Sequence, residues 1–174
     1  MISSDGSFHI GDKVVYPNHG VGTIEQISSR TIGATVEKFY LLKIQSSSLK
    51  VMVPFNNVNN VGLRRVIRNG DIQKVIDFLT DGACNNNADW KDRFKENSER
   101  MRTGSLLEVA CVLKSLIALH QAKPLSFREK KMLERARHML VSEISIARNV
   151  PDVHAVNMLQ RALLKAGLTL PANA

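Results

Sequence analysis

The chain has 174 residues, 44% of them hydrophobic and 23% charged, with 24 Lys/Arg set against 16 Asp/Glu. That is enough for one medium domain or two small ones, and it argues against wholesale disorder. No apolar run approaches the roughly 20 residues a membrane helix needs, and residues 1–7 show no basic segment leading into an apolar one, so the expected location is cytoplasmic with no membrane partner.

The net charge of +8 is unevenly spread. The first 60 residues hold five Lys/Arg and four Asp/Glu, which leaves nineteen against twelve for the rest of the chain. Such asymmetry fits a part that meets a polyanion, and it equally fits a basic surface kept for solubility. Two cysteines, Cys84 and Cys111, have no metal or redox spacing. Cys111 falls in an apolar helical pattern and reads as a small core residue.

In chain order, the first 60 residues read as β. Lys13–Tyr16 is a short apolar run, and Pro17–Gly20 a turn. Val21–Ile27 follows, with Gly22 marking a bend. Glu37–Ile44 is a third run, and Leu49–Pro54 alternates with period two until proline stops it. Four or five short strands in so few residues predict a small, strongly bent sheet or barrel without a large ligand cavity.

After Gly62 the period becomes helical. Asp71–Leu79 puts Ile72, Val75, Ile76 and Leu79 on one face. A polar break over 81–87 precedes Asp89, the expected N-cap of a helix from Trp90 to about Arg102, which Gly104 ends. Ser105–Glu108 and Ser126–Glu129 both have the capping-box form. The helix from Leu106 to His120 is apolar on most sides and is expected at the centre of a bundle. A long helix from Ser126 to about Asn149 turns Met132, Leu133, Ala136, Leu140 and Ile144 inward. A last helix starts at Pro151-Asp152 and ends near Gly167, and the tail Leu168–Ala174 is expected to fray. The fold class is therefore α+β, with a small β module over residues 1–62 and an all-helical bundle over 63–174.

Nothing in the sequence assembles a catalytic or cofactor site. His9, His19, His120, His138 and His154 lack metal-ligand spacing. There is no nucleophile elbow, phosphate loop or dinucleotide fingerprint. No catalytic residue, metal, cofactor or small-molecule substrate is expected. The helical surface is more informative. Trp90, the single tryptophan, shares a stripe with Phe94, Asn97 and Met101, and Lys91, Lys95 and Arg102 lie on a neighbouring one. Arg128, Lys130, Lys131, Arg135 and Arg137 form a second cationic cluster, of a kind that can contact phosphates. Either the stripe is buried with lysines snorkelling out, or Trp90 projects past the core as a wedge between bases. A protein-interaction adaptor without DNA binding is the competing class.

Several segments resemble the CarD/CdnL family of bacterial transcription regulators. They are Phe8–Pro17 with Gly20-Val21-Gly22, Val53-Pro54, Val61–Arg64, Trp90–Asn97, Thr103–Ser105 and Leu125–Leu133. The resemblance implies that residues 1–62 form a Tudor-like RNA polymerase interaction domain that docks on the polymerase β subunit. It implies that the helical part binds promoter DNA in the minor groove at the upstream edge of the −10 element and stabilises the open complex. On the matching positions Trp90 becomes the wedge and Lys95 and Lys130 approach phosphates. Lys91, Arg93 and Lys131 are expected beside them on DNA. Arg30 becomes a polymerase contact, joined along the fourth strand by Lys50, Val51, Met52 and Val53. Two departures stand out: Asp92 where some members carry a base, and Met52 where some carry arginine.

Overall fold

The computed structural model describes residues 7–83 and 89–172. Cys84, the part of the polar break over residues 84–87 and the last two residues of the tail lie outside the described residues. The chain divides into two compact units, one up to Val66 and one from Ile67.

The first unit is an antiparallel five-stranded sheet of order β4-β3-β2-β1-β5. Its strands are β1 Lys13–Tyr16, β2 Gly20–Ile32, β3 Thr35–Ile44, β4 Lys50–Pro54 and β5 Arg64–Arg65, with a 3₁₀ turn Phe55–Asn57 and a short helix α1 Val58–Val61 before β5. Phe8, Val14, Ile24, Tyr40, Leu42, Val53 and Leu63 make its core. The Tyr40 ring stacks on Phe55 at 4.1 Å, and its hydroxyl accepts the Phe8 backbone N–H at 3.1 Å.

β5 pairs with β1 through Val14↔Arg65 and Val15↔Arg64. The Arg65 guanidinium lies over the Phe8 ring at 5.2 Å and 3.1 Å from the Asp12 carboxylate. Residues 63–66 thus belong with the sheet rather than with the helices.

Gly22 is not a bend. It lies within β2, opposite both Val14 and Ile44, where an added Cβ would stand 3.0 Å from the Lys43 carbonyl oxygen. A larger residue there would force β3 away. The irregularity comes later, where the β2–β3 register shifts between Ile24 and Gln26. Ile24 opposes Leu42 and Ile27 opposes Tyr40, so the bulge at Glu25 brings both isoleucines to one face, where Ile24 is buried and Ile27 is exposed. β2 also runs five residues beyond the expected Ile27, with Arg30↔Glu37 and Ile32↔Thr35 as its last rungs. Its outer end, Ser29–Ile32, is exposed on both faces and carries no period-two hydrophobic signal.

The second unit holds α2 Asn69–Asp81, α3 Trp90–Arg102, α4 Leu106–Ala122, α5 Phe127–Arg148 and α6 Asp152–Lys165. As expected, α4 is central. Leu106, Val109, Ala110, Val112, Leu113, Leu116 and Ile117 are buried in one cluster with Ile72, Leu79, Leu140 and Leu159 from the helices around it. The inward face of α5 is Leu133, Ala136, Leu140 and Ile144, with Met132 half-buried.

Two helix starts follow the sequence. Asp89 accepts the Lys91 backbone N–H at 2.9 Å, and Ser126 with Glu129 forms a complete capping box. Ser105 caps α4 only by backbone, with no side-chain hydrogen bond, so that expectation fails. The tail does not fray over its described part. Leu168 and Leu170 are buried, Leu170 donates its backbone N–H to Gln160 Oε1 at 3.1 Å, and Arg137 donates to the Pro171 carbonyl at 2.6 Å. Cys111 is half-buried rather than core.

Candidate functional site

Trp90 is the first residue of α3, and its side chain is 55% exposed. The stripe that contains it is split. Asn97 and Met101 are buried and Phe94 is half-buried, so the far end anchors the helix while Trp90 overhangs the core. The Lys91 ammonium stands 5.9 Å from the centre of the indole ring, a cation–π contact that keeps one charge beside the aromatic face. Lys95 is exposed one turn along from Lys91. Asp92 is exposed in the first turn, where a carboxylate complements the positive end of the helix.

Arg93 does not join these cations. It is 4% exposed, and its Nη2 lies 3.1 Å from Glu129 Oε1 on α5. Position 93 sits beside the Asn97–Met101 stripe, and the helix turns it inward. A surface contact from this side chain would require breaking a buried ion pair, which typically costs several kcal/mol. Arg93 is therefore removed from the expected set of DNA-contacting side chains.

Glu129 serves two neighbours at once. Oε2 accepts the Ser126 backbone N–H at 3.1 Å while Oε1 holds Arg93. Burial raises the Glu129 pKa, but the Ser126 N–H and the hydrogen bond and charge of Arg93 outweigh it, so the carboxyl is held below its ordinary value.

The same turn of α5 carries a residue absent from the sequence expectation. Phe127 is 75% exposed, and the Lys131 ammonium lies 5.2 Å from its ring centre. Lys130 and Lys131 follow at i+3 and i+4 on its face, and both are exposed, as is Arg128. The signal was present: nine residues at about 100° each place Phe127 roughly opposite the inward Ala136. The second unit thus repeats one motif at two helix starts, an exposed aromatic ring with a lysine ammonium over it.

In the first unit, Arg30 and Met52 meet on one face. Arg30 Nη2 lies 4.0 Å from the Met52 sulfur, and Met52 is 39% exposed. β4 is an edge strand, paired only with β3 in the sheet order. Lys50 is exposed and 3.6 Å from Glu25, and Val51 is half-buried. Val53 points the other way. It is 2% exposed, opposite Tyr40 in the core, so only its backbone is available along that edge. Among the described residues no group of three or more His, Cys, Asp or Glu could hold a metal ion, and no helix is long and apolar enough to cross a membrane.

A sheet module with an open edge strand is followed by a helical bundle with exposed aromatic rings at two of its helix starts. Comparison with known proteins gives the family. Residues 8–67 match the CarD-like/TRCF RID domain, and residues 74–160 match the CarD C-terminal domain. The chain is 30% identical over 145 residues to YdeB of Bacillus subtilis (strain 168), named as a candidate transcription factor, covering 83% of this chain and 95% of that protein. Among solved structures, the 72-residue N-terminal domain of Myxococcus xanthus CarD, determined by NMR, is 30% identical and covers 36% of this chain and 84% of that one, with a TM-score of 0.30. The chain belongs to the CarD family of transcription regulators, and its first unit is of the RNA polymerase-interacting type.

Proposed function

We propose that this protein binds the RNA polymerase β subunit through the β2–β4 face and promoter DNA through the starts of α3 and α5, and that it stabilises the open promoter complex. The observation that carries the reading is Trp90, a large ring held out of its own core at a capped helix start with Lys91 over its face. Side chains of this kind unstack base steps from the minor groove. The upstream edge of the −10 element, where the bubble forks, is the proposed position of the ring.

Lys91, Lys95, Lys130 and Lys131 supply exposed charges for flanking phosphates, and Phe127 adds a second apolar surface among them. On the other unit, Arg30 and Met52 form a mixed guanidinium–thioether contact, with Lys50 and Val51 beside them on the open edge strand. That edge can also take a partner strand by backbone pairing, which would use the backbone of Val53 although its side chain is buried. Docking on polymerase raises the local concentration of DNA at the helical unit, so weak intrinsic DNA affinity suffices. The setting is the cytoplasm, at the nucleoid through polymerase.

The deciding experiment compares open-complex lifetime on one promoter with wild type and Trp90→Ala. Loss of a stacked ring removes on the order of 1–3 kcal/mol, so the added lifetime should fall about fivefold or more. An unchanged lifetime, or loss of the fold in the variant, overturns the wedge. Arg30→Glu should weaken binding to the β subunit while free DNA binding stays as in wild type; equal binding to the β subunit removes Arg30 from that face.

A further inference from the structure

We infer that Arg93 and Glu129 are a positioning pair, which fixes the turn bearing Trp90 against the turn bearing Phe127, Lys130 and Lys131 so that ring and cations reach DNA as one surface. The inference rests on the proposed DNA-binding role of those residues and adds two residues that touch no DNA.

The geometry is specific. Arg93 lies one turn beyond Trp90 on α3, and Glu129 immediately precedes Lys130 on α5. Their 3.1 Å contact spans 36 residues of sequence and is buried on both sides. This hydrogen bond ties the first turns of the two helices to each other. Glu129 is itself fixed by the capping box: its Oε2 accepts the Ser126 N–H at 3.1 Å, and its own N–H donates to Ser126 Oγ at 3.2 Å. At the other end, the Arg93 N–H donates to the Asp89 carbonyl at 3.0 Å, and Asp89 caps the turn that holds Trp90. An unbroken chain of hydrogen bonds therefore runs from the Trp90 turn to the Lys130 turn.

Stability alone does not call for such a pair. Two buried charges recover their desolvation cost only with good geometry, and apolar replacements of similar volume are commonly neutral or stabilising. What a buried ion pair supplies that an apolar contact does not is a fixed direction, because a planar guanidinium accepts its carboxylate partner in few orientations. Trp90 is over half exposed, so little else at its own position holds the ring. A wedge and its phosphate contacts must be set to within roughly 0.5 Å and 10–20° to act together.

The test uses the full-length double variant Arg93→Met/Glu129→Gln beside Trp90→Ala. Glutamine keeps the capping box, methionine keeps the length of the arginine stem, and every exposed cation and the indole remain. The expected result is a melting temperature within about 3 °C of wild type, an added open-complex lifetime shortened at least threefold, and a lower fluorescence anisotropy of Trp90, whose emission is the chain's only tryptophan signal. Wild-type lifetime in the double variant, with Trp90→Ala defective, overturns the positioning role and leaves the wedge intact. Wild-type lifetime in Trp90→Ala overturns the wedge and the positioning role together. If the double variant fails to fold, Arg93→Lys decides the matter. It keeps a cation on Glu129 but loses the planar fork, so a shortened lifetime supports the inference and a wild-type lifetime overturns it.

Discussion

Trp90 and Arg93 are three residues apart and have opposite fates. The indole, the largest side chain of α3, is over half exposed, while the guanidinium is buried. Residue type alone predicts the reverse for both. What decides is position: Trp90 is the first residue of its helix and overhangs the bundle, whereas Arg93 faces a helix that returns 36 residues later with a carboxylate in reach. The wheel of α3 shows position 93 beside the buried stripe, but the sequence holds no signal that Glu129 would be its partner. Two consequences are measurable. Trp90→Ala should leave the melting temperature within about 2 °C of wild type, since substitutions at exposed sites seldom cost more than ~0.5 kcal/mol. Arg93→Ala should lower it by about 6 °C or more, because Glu129 would be left buried without its cation, a loss of roughly 3–5 kcal/mol. Thermal melts of the two variants should therefore rank opposite to their side-chain sizes.

Among the elements, caps separate what was readable from what was not. Ser105 and Ser126 carry the same S-x-x-E signature, yet only Ser126 completes it. At α4 the Glu108 carboxylate instead lies 3.6 Å from Arg100, a competing partner from α3 that local sequence does not reveal. Ser126→Ala should accordingly destabilise by about 1 kcal/mol, whereas Ser105→Ala should cost less. Lys114 is a cap of another kind. Its ammonium donates to the Phe78 and Gly82 carbonyls at 3.0 and 2.5 Å, closing the C-terminal end of α2 from a neighbouring helix. Glu129 also makes the α5 start pH-sensitive. Its carboxyl ionises more readily in the folded state than in the unfolded chain, so the stabilisation is complete above the ordinary value of 4.5 and is lost as pH falls through the lowered one. The melting-temperature advantage of wild type over Glu129→Gln should therefore be present at about pH 6 and shrink toward about pH 3. A gap independent of pH would show that the charge on Glu129 does not contribute. The helices themselves were legible to within a few residues because each buries a clear 3.6-residue stripe. The outer end of β2 was not, because a hairpin exposed on both faces has no such stripe to display.

For the molecule as a whole, two modules of different secondary structure were legible from the change of hydrophobic period near Gly62. The boundary moves to Val66 because Arg64 and Arg65 pair with β1, a non-local contact that no local pattern encodes. The charge asymmetry was visible too, but net charge does not tell which cations are free. Lys91, Lys95, Lys130 and Lys131 are exposed, and Arg93 is not. If those lysines neutralise phosphates, log K for promoter DNA should fall against log salt with a slope of about −3 to −4. Removing Lys130 should flatten the slope by about one unit; an unchanged slope takes Lys130 off the phosphates. The bulge at Glu25 has a consequence at this same scale. Beyond it, β2 and β3 run out as a lever arm that carries Arg30 roughly 13 Å past Gln26, at about 3.3 Å per residue. Deleting Glu25 would leave Ile27 opposite Tyr40 and Arg30 opposite Glu37, each side chain on its present face. The twist at the pivot would change, Lys43 and Lys50 would lose the Glu25 carboxylate, and a swing of about ten degrees would carry the tip more than 2 Å sideways. One residue at the pivot thus bears both on the direction of the arm and on the lysines beside the edge strand.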